Sequence, residues 1–137
     1  MSLYLCVFVS GAEAEGIDAG SYSDFNRLRH YIVGALEDGK TGARFPNLIL
    51  HSDCDGVWSP KDCTGLRDEL AQIIDFMRER PAERFPPGWQ DALARMLRLE
   101  PRNALESFID VDGAPLLLRL LDLVEIALSA GEPILFQ

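Results

Sequence analysis

The stretch Leu116–Ala130 constrains this chain most: in fifteen residues only Arg119, Asp122, Glu125 and Ser129 are polar. Those four recur at spacings of three or four, so on an α-helix they form one narrow stripe. A helix apolar around the rest of its circumference has to be covered by protein, which places it at the centre of the fold. The three charges break up what would otherwise be the longest apolar run, and no run approaches the ~18 residues of a membrane span. The remainder of the 137 residues has to supply the covering surfaces. That length fits one domain, residues 1–137. The 47% apolar and 26% charged content fits a globular chain with a sizeable core.

Leu3–Val9 is a continuous apolar run, as in a strand buried on both faces. Gly11–Gly20 reads as a polar, glycine-bearing loop, with room for a short edge strand over residues 17–22. Ser23 is the expected N-cap of a first helix, with Phe25, Leu28, Ile32 and Leu36 at helical spacing and Gly39 as its stop. Pro46 precedes a second expected strand, Leu48–His51. After an acidic turn, Ser59-Pro60-Lys61-Asp62 marks a helix start: a serine cap, proline at the first helical position, and an acid at the third. Cys63, Leu66, Leu70, Ile73, Ile74 and Met77 form its apolar stripe, with Asp62, Arg67, Asp68, Glu69 and Asp75 mostly off it. A shorter helix follows from Trp89, residues 103–109 fit a helical turn or a strand, and Pro133–Gln137 is a terminal strand. The pattern predicts an α+β domain: a small mixed sheet of three to four strands packed by about four helices.

Net charge is −9, which argues against direct nucleic-acid binding and leaves a basic protein as a natural partner. Acids gather in two segments: residues 46–75 hold six against two bases, and residues 99–137 seven against two. Three cysteines without framework spacing, and a start lacking the basic lead of a signal peptide, lead us to expect a cytoplasmic protein with no membrane partner.

Each acidic segment contains an Asp-x-Asp-Gly turn leading into a helix: Asp53-Cys54-Asp55-Gly56, followed by Trp58, and Asp110-Val111-Asp112-Gly113. A strand followed by Asp-x-Asp-Gly resembles the first motif of haloacid-dehalogenase-type phosphatases, where the first aspartate is the nucleophile and magnesium bridges to phosphate. The other parts of that machinery are missing: Lys40 and Lys61 are the only lysines, no later acidic motif follows, and only 25 residues remain after Asp112. A calcium loop needs a glutamate at its twelfth position, but the two turns place Thr64 and Leu121 there. His51, Cys54 and Cys63, with Cys6 on a neighbouring strand, form an incomplete zinc set. We therefore expect no catalytic residues, no metal and no cofactor. Two readings of the turns stay open. Either they are purely structural, with Gly56 and Gly113 at positive φ and the aspartates bonded to backbone N–H groups, or they also present Asp53, Asp55, Trp58, Asp110 and Asp112 to a partner.

Three segments together carry a resemblance: His51-Ser-Asp-Cys-Asp-Gly-Val-Trp-Ser-Pro60, Phe108-Ile-Asp-Val-Asp-Gly-Ala-Pro-Leu-Leu117, and Gly131-Glu-Pro-Ile-Leu-Phe-Gln137. The chain resembles a family of small bacterial proteins, the immunity proteins of polymorphic toxin systems numbered seventy in that series. The resemblance covers nearly the whole chain. It implies an α+β cytoplasmic protein that binds and neutralises a cognate toxin, without catalysis of its own. A nuclease toxin, with its basic active site, would suit an acidic inhibitor. The competing expectations are a small interaction domain or homodimer of another role, and a metal-dependent phosphatase-like enzyme using Asp53 and Asp55.

Overall fold

The structure, a computed structural model, describes residues 2–137. Strand β1 (Ser2–Val9) turns back into β2 (Ala12–Ser21) through Ser10 and Gly11. Both turn residues have positive φ, 53° and 82°, as a two-residue type I′ hairpin requires. The expected loop at 11–20 is thus a strand ten residues long. Its acids and glycines hide the alternation that sends Ile17 and Ala19 inward.

Strand β3 (Val57–Trp58) and strand β4 (Ile134–Phe136) complete a sheet of order β2-β1-β4-β3. Every pairing is antiparallel, where a mixed sheet was expected. Cross-strand partners share a face, so the register defines two sides. Leu3, Leu5 and Val7 of β1 point into the core with Ile17, Ala19, Trp58, Ile134 and Phe136. Tyr4, Cys6 and Phe8 point the other way, opposite Asp18, Gly16 and Glu13 of β2. Leu135 lies beside Cys6 on that outer side, and Val57 beside Leu135. β1 was expected to be covered on both faces. Cys6 is buried, but Phe8 is exposed and Tyr4 half-buried, because the packed helices meet the inner face.

Helix α1 (Tyr22–Leu36) is capped by Ser21 rather than Ser23. The Ser21 hydroxyl accepts from the Asp24 N–H at 3.1 Å, and the Asp24 carboxylate accepts from the Ser21 N–H at 2.8 Å. Ser23 is exposed inside the first turn. Residues Pro46–Ile49 form a single helical turn, α2, where a strand over Leu48–His51 was expected. Leu48 and Ile49 are buried, as an apolar run demands, but the strand of this region is β3, beyond the acidic turn.

Helix α3 (Pro60–Arg78) starts at the Ser59 cap with Asp62 completing the box, as its sequence predicts. Helix α4 (Trp89–Leu97) is short, and a 3₁₀ turn over Leu105–Ser107 precedes an isolated bridge between Ile109 and Pro115. Both expectations for residues 103–109 are therefore met in part. Helix α5 (Leu116–Ala130) ends at Gly131 in the left-handed conformation, φ 67°. Leu116, Leu117, Leu120, Leu123, Val124 and Ala127 of α5 are buried between α3 and the sheet, the central place its composition required.

Candidate functional site

The first acidic turn is suspended between two supports. Above it, α2 exposes orphan backbone groups at both ends, as any helix does. Buried Glu69 of α3 accepts from Asn47 N–H (3.2 Å), Leu48 N–H (3.0 Å) and the Asn47 side-chain amide (2.7 Å). Buried Arg29 of α1 donates to the carbonyls of Leu48, Ile49 and His51 at 3.2, 3.2 and 2.7 Å. An anion sits at the N-terminal end and a cation at the C-terminal end, the favourable sense for the helix dipole. Sequence reading missed both. Glu69 fell off the apolar stripe and nothing local singles out Arg29; only partners 20 or so residues distant give them a reason to be buried.

Below it, the His51 ring stacks on Phe136, with centroids 4.1 Å apart and planes 20° apart, and meets Trp58 at 5.1 Å. Its ring nitrogens lie 2.8 Å from the Ser52 carbonyl and 2.9 Å from the Val57 carbonyl, so the imidazole sits between the two ends of the turn and donates to one or the other according to its tautomer. Trp58 is buried, and its indole N–H donates to the Asn47 carbonyl at 2.9 Å. It cannot face a partner and serves as the post on which the turn rests. Within the turn, the Cys54 N–H bonds to the Ser52 hydroxyl, and Gly56 takes φ 86° as expected. Asp53 accepts from the Asn26 side-chain amide at 2.6 Å. That hydrogen bond, aided by contacts from Cys54 and the Arg29 charge, outweighs the opposing effect of burial and holds its carboxyl below the usual range. Asp55 is exposed.

The second turn is built differently. Asp110 is 1% exposed and spends its carboxylate internally. One oxygen accepts from Asp112 N–H (2.9 Å) and Ala114 N–H (3.0 Å), and the other from Arg119 (3.0 Å). Arg119 also reaches the Gly16 carbonyl at 3.2 Å and lies 3.6 Å from Asp112 and 3.7 Å from Glu15. It thereby ties α5 to the edge strand β2. Gly113 takes φ 85°, with Leu97 packed where a side chain would go. Of the second turn only Asp112 offers an exposed carboxylate.

The two turns do not converge. The first leads into β3 and the second hydrogen-bonds to β2, through Val111 N–H to the Asp18 carbonyl at 3.2 Å. These are opposite edges of a four-stranded sheet, roughly 14 Å apart at three strand spacings. Neither turn has the geometry of a phosphatase nucleophile: Asp53 follows a helical turn, and Asp110 is saturated by N–H donors. Nor does the thiol set suit zinc. Cys63 is buried in the core, its Sγ 3.8 Å from the Trp58 carbonyl, and burial together with neighbouring Asp62 pushes its pKa up to about 11, so the thiolate a metal needs is disfavoured. Among the described residues no group of three or more His, Cys, Asp or Glu could hold a metal ion.

Into this arrangement the comparison with protein families fits closely. The family model described as Immunity protein 70 matches residues 3–136. The chain belongs to the Immunity protein 70 family. The match spans both acidic turns, all the helices and β4, so the family pattern is that of the complete fold. No curated protein and no solved structure matches the chain. For this Immunity protein 70 member, the described residues include no helix long and apolar enough to cross a membrane.

Proposed function

We propose that this protein binds a cognate bacterial toxin and neutralises it by occupying the toxin's working surface, with no catalysis or cofactor of its own. The observation that carries the reading is the family match over residues 3–136. An inhibitor of this kind works in the cytoplasm beside the toxin's target and touches neither nucleic acid nor membrane directly. Charge supports a basic toxin, such as a nuclease: a −9 chain attracts cationic surfaces and competes with a phosphate-rich substrate. Asp53, Asp55 and Asp112 supply partner-facing carboxylates, while Trp58, Asp110, Gly56 and Gly113 hold the turns in shape.

The test is co-expression with the product of the gene directly upstream. The expected outcome is that the upstream product alone arrests growth, that this protein restores it, and that the two co-purify. An upstream product that is harmless, or toxicity that this protein does not relieve, would sink the proposal.

A further inference from the structure

The outer face of the sheet is apolar at its centre, and the described strands give it no lysine or arginine. Phe8 and Val57 are 36% and 44% exposed, and Leu135 and Tyr4 are half-buried beside them. The buried residues of the inner face form one continuous core with those of the helices, and Tyr4, Phe8, Val57 and Leu135 take no part in it. The flanking residues on β2 are Glu13 and Asp18, paired with Phe8 and Tyr4. None of the thirteen lysines and arginines lies in any strand; all are in helices or in the segments joining them. The strands therefore bring three acids, Glu13, Glu15 and Asp18, and no cationic side chain to the sheet. At the β2 end the face runs into a shallow cleft of about 780 Å³ that includes Ser2 and Asp18, walled by Pro86, Pro87 and Trp89.

We propose that this outer face is the docking surface, and that its occupant is a basic protein surface with an apolar centre: the apolar residues against Phe8, Val57 and Leu135, the cations against Glu13 and Asp18. The proposal rests on the neutralising role proposed above and assigns its location. A second copy of the chain is the less suitable occupant. Stacked face to face, two copies would join two chains of −9 each. Size is consistent with a rim beyond the strands. Strands of eight, ten, two and three residues give a floor of roughly 380 Å², and a standard interface takes about 800 Å² from each partner. The cleft and the exposed Asp55 beside Val57 extend the floor toward that area.

The experiment measures binding of the purified upstream product to wild-type protein, to the double variant Phe8→Lys with Val57→Lys, to Glu13→Lys, and to Met96→Lys as a control on α4, where Met96 is 76% exposed. Thermal melts accompany each variant so that loss of fold is separated from loss of contact. The proposal expects the folded double variant to bind at least about 100-fold more weakly, Glu13→Lys to associate about 10-fold more slowly at low salt but not at high salt, and Met96→Lys to match wild type. A folded double variant that binds as wild type does, while Met96→Lys fails, overturns the surface and leaves the neutralising role standing. A wild-type protein that runs as a dimer and is dissociated by Val57→Lys assigns the face to a second copy instead. Should wild type bind nothing, the neutralising role falls first and the docking surface with it.

Discussion

Asp110 shows what a single residue can conceal. Its sequence context, an Asp-x-Asp-Gly turn, matches that of Asp53, and both were candidates to face a partner. In the fold Asp110 is buried and meets three donors, whereas Asp53 stays at the surface with one side-chain amide donor. The difference comes from Arg119, nine residues onward, which folds back only because α5 packs beside β2. Replacing Asp110 with alanine leaves Arg119 and two backbone N–H groups without their acceptor and should cost about 3 kcal/mol; urea denaturation of the variant measures it. Asp24 makes a second residue-scale case. Burial alone raises its pKa, but hydrogen bonds from the Ser21 backbone, Trp89, the Ser21 hydroxyl and Gln90 outweigh burial and bring it below the usual value. A carboxyl depressed in the folded state contributes stability above the unfolded pKa, about 3.9, and loses it as pH falls through the folded value. Wild-type melting temperature should therefore drop more steeply below about pH 4 than that of Asp24→Asn, with Trp89 fluorescence reporting the release of α4.

At the scale of elements, α2 would not survive by itself. Four residues are far below the length at which a helix is stable in water, about 12–15. Its apolar run also suits a strand, which is how its sequence reads. The choice is made from outside, by Glu69 at one end and Arg29 at the other. Glu69→Ala should destabilise the protein by about 2–3 kcal/mol. Hydrogen exchange should then show the Asn47 and Leu48 amides opening well before the rest of the core. By contrast, α3 carries its own start signal. Ser59→Ala should cost about 1 kcal/mol, read by the same denaturation, because the cap accepts one N–H and nothing distant replaces it. The β1–β2 hairpin lies between these cases: the sequence reading ended β1 at Val9 before a glycine, but the acids of β2 disguised the strand that follows as a loop running to Gly20.

For the whole molecule, charge is the property that bears on function. The strands hold three acids and no lysine or arginine, the helices and the segments joining them hold all thirteen, and the acidic turns stand at opposite sheet edges. Association with a basic partner should slow by about an order of magnitude or more between 50 and 500 mM salt, as screening shortens the reach of the field from roughly 14 to 4 Å. Stopped-flow mixing measures that slope. A flat response would mean that contact, not charge, brings the pair together.

The sequence by itself determined the elements whose reasons are local. The α5 core helix follows from apolar periodicity, the α3 start from Ser59, Pro60 and Asp62, and the helix end at Gly131 from glycine's tolerance of positive φ. The family resemblance was likewise legible in three short segments. Tertiary structure decided whatever depends on distant partners: that Leu48 and Ile49 lie in a helical turn, that Trp58 and Asp110 point inward, and that the two acidic turns lie far apart. It also decided that β1 has an uncovered face. Apolar residues on both sides of a strand look alike in one dimension; helices packed on one face alone distinguish core from surface.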